Sequence, residues 1–296
     1  MKKLIIRLLI VLVAVYVLLS LLDFKGEYSA ERSLWHINQQ MNLLEQEPEA
    51  VPDFTFEQII RRYRDFIKAY SHSPLVPQAY MWIAKVDLVR KNYDAARKVY
   101  AEIPAAFPHD PQHIAEAMAA IGETYEVQKD WPQAQEQYQK TIRLYPTTVV
   151  GLKLPLYIAS RQAQNDPADK SEAFGRAITQ YKNVLEHSRD KEIRTAALKL
   201  MVSADLARQD WPQVVKYCRE MLMADADERS LREAIYVINV AAIVHMKNYD
   251  LPVEIYKEFM KKYPQHPMIG LFKGMVVNIT RLKTNHVKIT PRQEGK

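Results

Sequence analysis

Along the body of the chain, apolar side chains return every three or four positions, and strict alternation is almost absent. That is helical periodicity, because 3.6 residues per turn places i, i+3, i+4 and i+7 on one face. Short polar stretches interrupt the pattern, so it predicts a series of helices and no sheet. A longer period overlies the short one. An aromatic recurs at Phe56, Tyr93, Trp131, Phe174, Trp211 and Tyr249, at spacings of 37, 38, 43, 37 and 38 residues. Asn92, Asp130, Asp210 and Asn248 precede four of these aromatics, and a tyrosine follows six or seven residues later in every unit. Phe107-Pro108, Tyr145-Pro146 and Tyr263-Pro264 close three units.

A sustained period in the thirties marks stacked helix pairs, since one pair cannot bury its own apolar face. The tetrapeptide Asp-Trp-Pro-Gln, present at 130–133 and again at 210–213, then reads as the start of a second helix. Asp caps the free N–H groups, and Pro132 and Pro212 sit in the first turn, where no N–H is needed. Residues 149–189 carry an insertion, "QAQNDPADKSE". From Pro267 to Lys283, Met268, Leu271, Phe272, Met275 and Ile279 share one face, which predicts a capping helix. The expected fold class is all-α: an α-solenoid of about six helix pairs with a C-terminal capping helix, preceded by one transmembrane helix.

That last element rests on the run "LLIVLVAVYVLLSLL", Leu8–Leu22, which carries no charge. With Leu4 to Arg7 it reaches a length of roughly 28 Å as a helix, close to the hydrocarbon thickness of a bilayer. A cleaved signal peptide fits less well, because the best cleavage candidate, ending at Ala30, has bulky Tyr28 three positions back. Lys2, Lys3 and Arg7 precede the run, and little positive excess follows it, so the N-terminus is expected in the cytoplasm. The expected organisation is a membrane anchor at 1–23, a repeat domain at 24–283 and a basic disordered tail at 284–296. The expected location is the inner membrane, single-pass, with the repeats in the periplasm.

One unit, Ala115–Thr148, resembles the tetratricopeptide repeat: Met118, Ile121, Gly122 and Tyr125 match the family's first helix, and Ala134, Tyr138 and Pro146 its second. Residues 77–110 match well through Ile83, Ala84, Ala96, Tyr100 and Pro108. The longer period is similar to that of bacterial envelope proteins of the BamD and Tol-Pal coordinator type. The resemblance implies that first helices line a groove for a protein or peptide partner. Carried over, its positions are Gln78, Met81, Lys85 and Leu88; Glu116, Ala119, Glu123 and Glu126; and Ala196, Lys199 and Ser203. This mixture implies an amphipathic partner, and Met81, Ala119 and Glu123 do not fit the carboxylate clamp of cytosolic co-chaperones.

Composition narrows the function classes. The chain has 296 residues, is 48% hydrophobic and carries a net charge of +6. The two ends supply +7, while residues 8–280 hold 33 basic and 34 acidic residues, so no basic footprint for nucleic acid lies on the folded body. With seven glycines there is no glycine-rich phosphate loop, and one cysteine, Cys218, excludes an intramolecular disulfide. Cys218 stands where the family places a packing aromatic, which reads as a buried small hydrophobe. His109 and His113 flank Pro111 and lack a third ligand, so no metal site is expected. Gly270 and Gly274 suggest close helix packing. No nucleophile or base motif is present, and neither enzyme activity nor a cofactor is expected. The reading is a membrane-anchored protein-interaction scaffold of the cell envelope. The alternatives are a regulatory subunit of an envelope enzyme complex, whose only groove carboxylates would be Glu116, Glu123 and Glu126, and a cytosol-facing receptor of opposite topology.

Overall fold

The computed structural model describes residues 12, 13, 15, 26–224 and 227–289. The anchor expected at 4–22 therefore lies outside the described residues, apart from Leu12, Val13 and Val15. Among the described residues no helix is long and apolar enough to cross a membrane, and no strand occurs.

The chain divides into two compact units, residues 1–150 and 151–296. The first holds three helix pairs: α1 (Glu27–Gln46) with α2 (Asp53–Ala69), α3 (Val76–Val89) with α4 (Tyr93–Ala106), and α5 (Pro111–Val127) with α6 (Trp131–Leu144). In the second, α7 (Val149–Asn165, which begins at the boundary) pairs with α8 (Lys170–His187), α9 (Lys191–Arg208) with α10 (Trp211–Met223), and α11 (Glu228–Asn239) with α12 (Asp250–Lys262). Helix α13 (Ile269–Ile289) follows, with Met268, Phe272 and Ile279 buried against the second unit's core. It continues six residues beyond Lys283, where the tail was expected to begin; residues 290–296 lie outside the described set. Six pairs and a terminal helix are what the aromatic period predicted.

The turn inside a pair is built the same way three times. Lys91, Lys129 and Gln209 adopt left-handed backbone, with φ of 62°, 65° and 60°. Each is followed by the Asx residue that caps the next helix. Asn92, Asp130 and Asp210 accept from the N–H of Ala95, Gln133 and Val-preceding Gln213 through their side chains. Their own N–H groups reach back to the carbonyls of Asp87, Tyr125 and Asp205, and those of Lys91, Lys129 and Gln209 to Leu88, Glu126 and Leu206. This paired return closes the carbonyls at a helix end. Glycine usually takes the left-handed position; here lysine and glutamine do, which explains how a chain with seven glycines makes such turns.

The last pair departs from this rule. Val240–His245 forms a π-helical segment, and its turn uses Met246 N–H to Ala241 O and Asn248 N–H to Ala242 O. Lys247 takes the left-handed position, φ 54°. His245 stacks on Trp211 with ring centres 3.7 Å apart and planes 9° from parallel.

Packing within a pair centres on the residue seven after the recurring aromatic. It is Tyr63, Tyr100, Tyr138, Tyr181 or Tyr256, all buried, and Cys218 in the remaining pair. Four of the hydroxyls find partners on the first helix. Tyr63 Oη donates to Asn38 Oδ1 at 2.7 Å, Tyr138 Oη to Glu126 Oε2 at 3.0 Å, and Tyr256 Oη to Asn239 Oδ1 at 2.8 Å. Tyr181 Oη accepts from Leu156 N–H at 3.0 Å, just after Pro155 inside α7. Gly122 of α5 faces the Tyr138 ring. A Cβ on Gly122 would lie 2.5 Å from the Tyr138 ring.

Two substitutions test these contacts. Gly122→Ala forces the Tyr138 ring out of place and should lower stability by about 1–3 kcal/mol. Lys129→Gly removes the Cβ that opposes left-handed backbone and should raise it by roughly 0.5–1 kcal/mol after the unfolded-state entropy of glycine is deducted. Chemical denaturation of the two variants, followed by circular dichroism, should show midpoints displaced in opposite directions.

Candidate partner-binding site

The predicted groove positions lie on first helices. In the first unit α1 touches α3, and α3 touches α5, so the three first helices stand side by side. On α3, Gln78 is exposed and Met81, Lys85 and Leu88 are half-buried. Lys85 Nζ lies 2.6 Å from Glu45 Oε1 on α1 and 4.5 Å from the centre of the Trp82 ring. On α5, Glu116 and Glu126 are half-buried and Glu123 is exposed. Gln112 Nε2 donates to Glu116 Oε1 at 2.8 Å, and Tyr138 holds Glu126 from below. Ala119 is 4% exposed; its methyl is covered, so it sets the spacing of neighbouring helices and offers no surface to a partner.

In the second unit, Ala196 and Lys199 are half-buried and Ser203 is exposed. Lys199 Nζ pairs with Glu233 Oε2 of α11 at 2.8 Å, and Ser203 Oγ donates to the Lys199 carbonyl. Lys191, Glu192, Thr195, Ala196, Lys199, Asp227 and Ser230 line a depression of about 350 Å³ between α9 and α11.

The structure adds residues that the groove pattern missed. Glu45 and Glu233 enter because each meets a predicted lysine across a helix boundary, and sequence spacing within one unit does not reveal that. The first unit's face now carries Glu45, Glu116, Glu123 and Glu126 against a single Lys85. Glu123 is exposed by surface area, yet enough protein crowds it that desolvation raises its carboxyl above the usual carboxylate range, and the charge of Glu126 pushes the same way. Burial raises the Tyr63 and Tyr100 hydroxyls, and the charges of Glu45 and Glu123 add to it. These two carboxylates therefore stand over the buried tyrosines of α2 and α4.

A second feature was also legible but not singled out. Asp87 and Asp205 are 4% and 0% exposed, five residues before the capping Asn92 and Asp210. Burial raises both carboxyls, and hydrogen bonds and charge from Arg90 and Arg208 oppose it. The salt bridges are 2.8 Å each. Arg90 extends to Glu57 on α2 at 2.8 Å, and Arg208 approaches Ser171 on α8 at 3.4 Å, tying each turn to the preceding second helix. The D-x-x-R spacing at two first-helix ends was the available signal.

The remaining candidates are structural. Asp130 and Asp210 are caps. The His113 ring contacts Asp110 Oδ2 at 2.6 Å, and Asp110 caps α5; despite some burial, its carboxyl is lowered by the N–H and ring of His113. Among the described residues no group of three metal-ligating side chains occurs. Gly270 and Gly274 do not mark close packing, because a Cβ at either meets no atom within 4 Å. Cys218 is fully buried, and burial pushes its thiol up to about 12.

The tetratricopeptide-repeat family model matches residues 116–148, that is α5 from Glu116 through α6 to Thr148. This segment is similar to a tetratricopeptide repeat. It contains Glu116, Ala119, Glu123 and Glu126. No curated protein matches the chain. Among solved structures, the TPR2AB-domain complex with pHSP90 of yeast Sti1 is 14% identical, covering 86% of this chain and 100% of that one, with a TM-score of 0.34. BtubC (BKLC) from P. vanneervenii is 13% identical over 70% of this chain and 89% of its own, TM-score 0.35. The P58(IPK) TPR domain is 12% identical over 88% and 70%, TM-score 0.27.

Because a thiol this basic is almost wholly protonated near neutral pH, a maleimide should leave Cys218 unlabelled in the native protein. Labelling should become stoichiometric in denaturant, as mass spectrometry of the intact chain would record.

Proposed function

We propose that the protein is a membrane-anchored scaffold of the cell envelope that holds a protein partner on the first-helix face of its first unit. The anchor is the apolar run 4–22, and the lysines and arginine before it favour an inner-membrane, single-pass arrangement with the repeats in the periplasm. The observation that carries the binding role is the face formed by α1, α3 and α5. Its helices carry Glu45, Glu116, Glu123 and Glu126, the Lys85 that pairs with Glu45, and the half-buried Met81 and Leu88. Such a surface suits an amphipathic segment with basic side chains, which sharpens the expectation of a merely amphipathic partner. Ion pairs at an exposed rim contribute mainly to encounter rate and selection, so the apolar positions supply the holding contact. The same carboxylates, three of them on one helix, lack the nucleophile or base arrangement that a catalytic role needs.

Photo-crosslinking residues introduced at Lys85 and at Glu123 in cells expressing the full chain should yield adducts with one common protein. The same probe at Arg219, an exposed position on α10, should not. With the probe at Lys85, combined Glu45→Gln, Glu123→Gln and Glu126→Gln should reduce the adducts several-fold. Because burial raises the Glu123 carboxyl, it takes up its proton earlier than an ordinary glutamate as pH falls; capture at Lys85 should weaken as pH descends toward the carboxylate range and recover above it. No adduct at either position, or adducts equal to those at Arg219, would remove the reading.

A further inference from the structure

Helix α1 leaves one face uncovered. Its core side is Ala30, Leu34, Ile37 and Met41, all buried. At about 100° per residue, Tyr28, Trp35 and Leu43 fall on the opposite side, within about 80° of one another. They are 67%, 56% and 66% exposed. Single exposed apolar residues are ordinary, but three large ones in register on one face form a patch that marks an interaction surface. The ring neighbour of Trp35 is the adjacent His36, at 4.9 Å.

Two observations select the occupant. The uncharged run Leu8–Leu22 ends five residues before Glu27, so even a fully extended connection keeps α1 within about 18 Å of the end of that run. Whatever surrounds the run is therefore within reach of α1. The chemistry of the face agrees. Between Tyr28 and Gln46 it presents Tyr28, Arg32, Trp35, Gln39, Leu43 and Gln46, with no carboxylate among them. Tyrosine and tryptophan join an apolar ring to a polar tip and concentrate where a bilayer meets water, and arginine pairs with phosphate there.

We propose that α1 lies on the membrane surface, with Tyr28, Trp35 and Leu43 at the boundary between headgroups and acyl chains and Arg32 against lipid phosphate. This rests on the reading of residues 4–22 as a membrane anchor. The contact would hold the first unit by two points, the run and the helix, and fix the side of α1 that meets the bilayer.

The test uses the full chain in vesicles of phosphatidylethanolamine and phosphatidylglycerol carrying nitroxide-labelled lipid. Trp35 is largely exposed, so Trp35→Phe leaves the fold intact. Quenching of tryptophan emission should be stronger with the nitroxide near the headgroup than near the acyl-chain end, and Trp35→Phe should abolish it. Alkaline carbonate extraction of the same vesicles tests the anchor independently. A chain that resists extraction but shows quenching unaltered by Trp35→Phe overturns the proposal and leaves the anchor standing. A chain that carbonate releases removes the anchor and, with it, the proposal that rests on it. Loss of both signals removes both. A Trp35→Phe change in molar mass in detergent, without quenching in vesicles, would assign the face to a second copy and also overturn the proposal.

Discussion

The approach of one helix to its partner depends on what stands opposite the buried tyrosine of the second helix. At Tyr138 the first helix offers Gly122, and no larger residue fits without a shift. Tyr63, Tyr100, Tyr181 and Tyr256 are buried at the same place in their pairs, and Cys218 takes it in the remaining one, each filling an interior packed to crystal density. The hydroxyls of several of these tyrosines then find acceptors on first helices, so the contact that sets the distance also satisfies a buried polar group. The acidic face follows from it, because Glu126 is held by Tyr138 and Glu45 and Glu123 stand over Tyr63 and Tyr100.

Repetition made the fold legible. The units repeat the same apolar spacing, and four of them place an Asx residue before the aromatic, so weak signals reinforce one another. The positions of Asn92, Asp130 and Asp210 announced the turns, and their side chains make the anticipated caps. The left-handed residue before each cap escaped notice because lysine and glutamine carry no intrinsic preference for that backbone. The turn imposes it through two return hydrogen bonds. The π-helical segment at Val240–His245 was equally hidden, since a ladder offset by one residue leaves no mark on composition. Gly270 and Gly274 misled for the opposite reason: a spacing known from close contacts sits here against open space.

The site was less legible than the fold. Spacing places residues on a helix face, and it put Lys85, Glu123 and Lys199 where the structure has them at first-helix surfaces. It cannot tell a surface alanine from a covered one, and Ala119 proves covered, at 4% exposed. Nor does it reveal partners supplied by the next helix, such as Glu45 for Lys85 and Glu233 for Lys199. Both are long-range pairs, and each already neutralises a lysine that the pattern alone left free for a ligand. The acidic face emerged only when three helices were placed side by side.

The wide turn at Val240–His245 acts as a phase shifter. Each residue added to a helix rotates everything after it by about 100°, so one extra residue per turn carries the chain from one reading frame of apolar positions to another. Before the segment, Leu231, Ala234, Ile235 and Ile238 keep the spacing that faces the core. Within it, the adjacent pair Ala241 and Ala242 is buried, and the following turn sends His245 onto Trp211. A repeat array tolerates a change in unit length only where such a slip can be absorbed. Here the slip occurs inside the last pair, where only α12 and α13 remain to be placed.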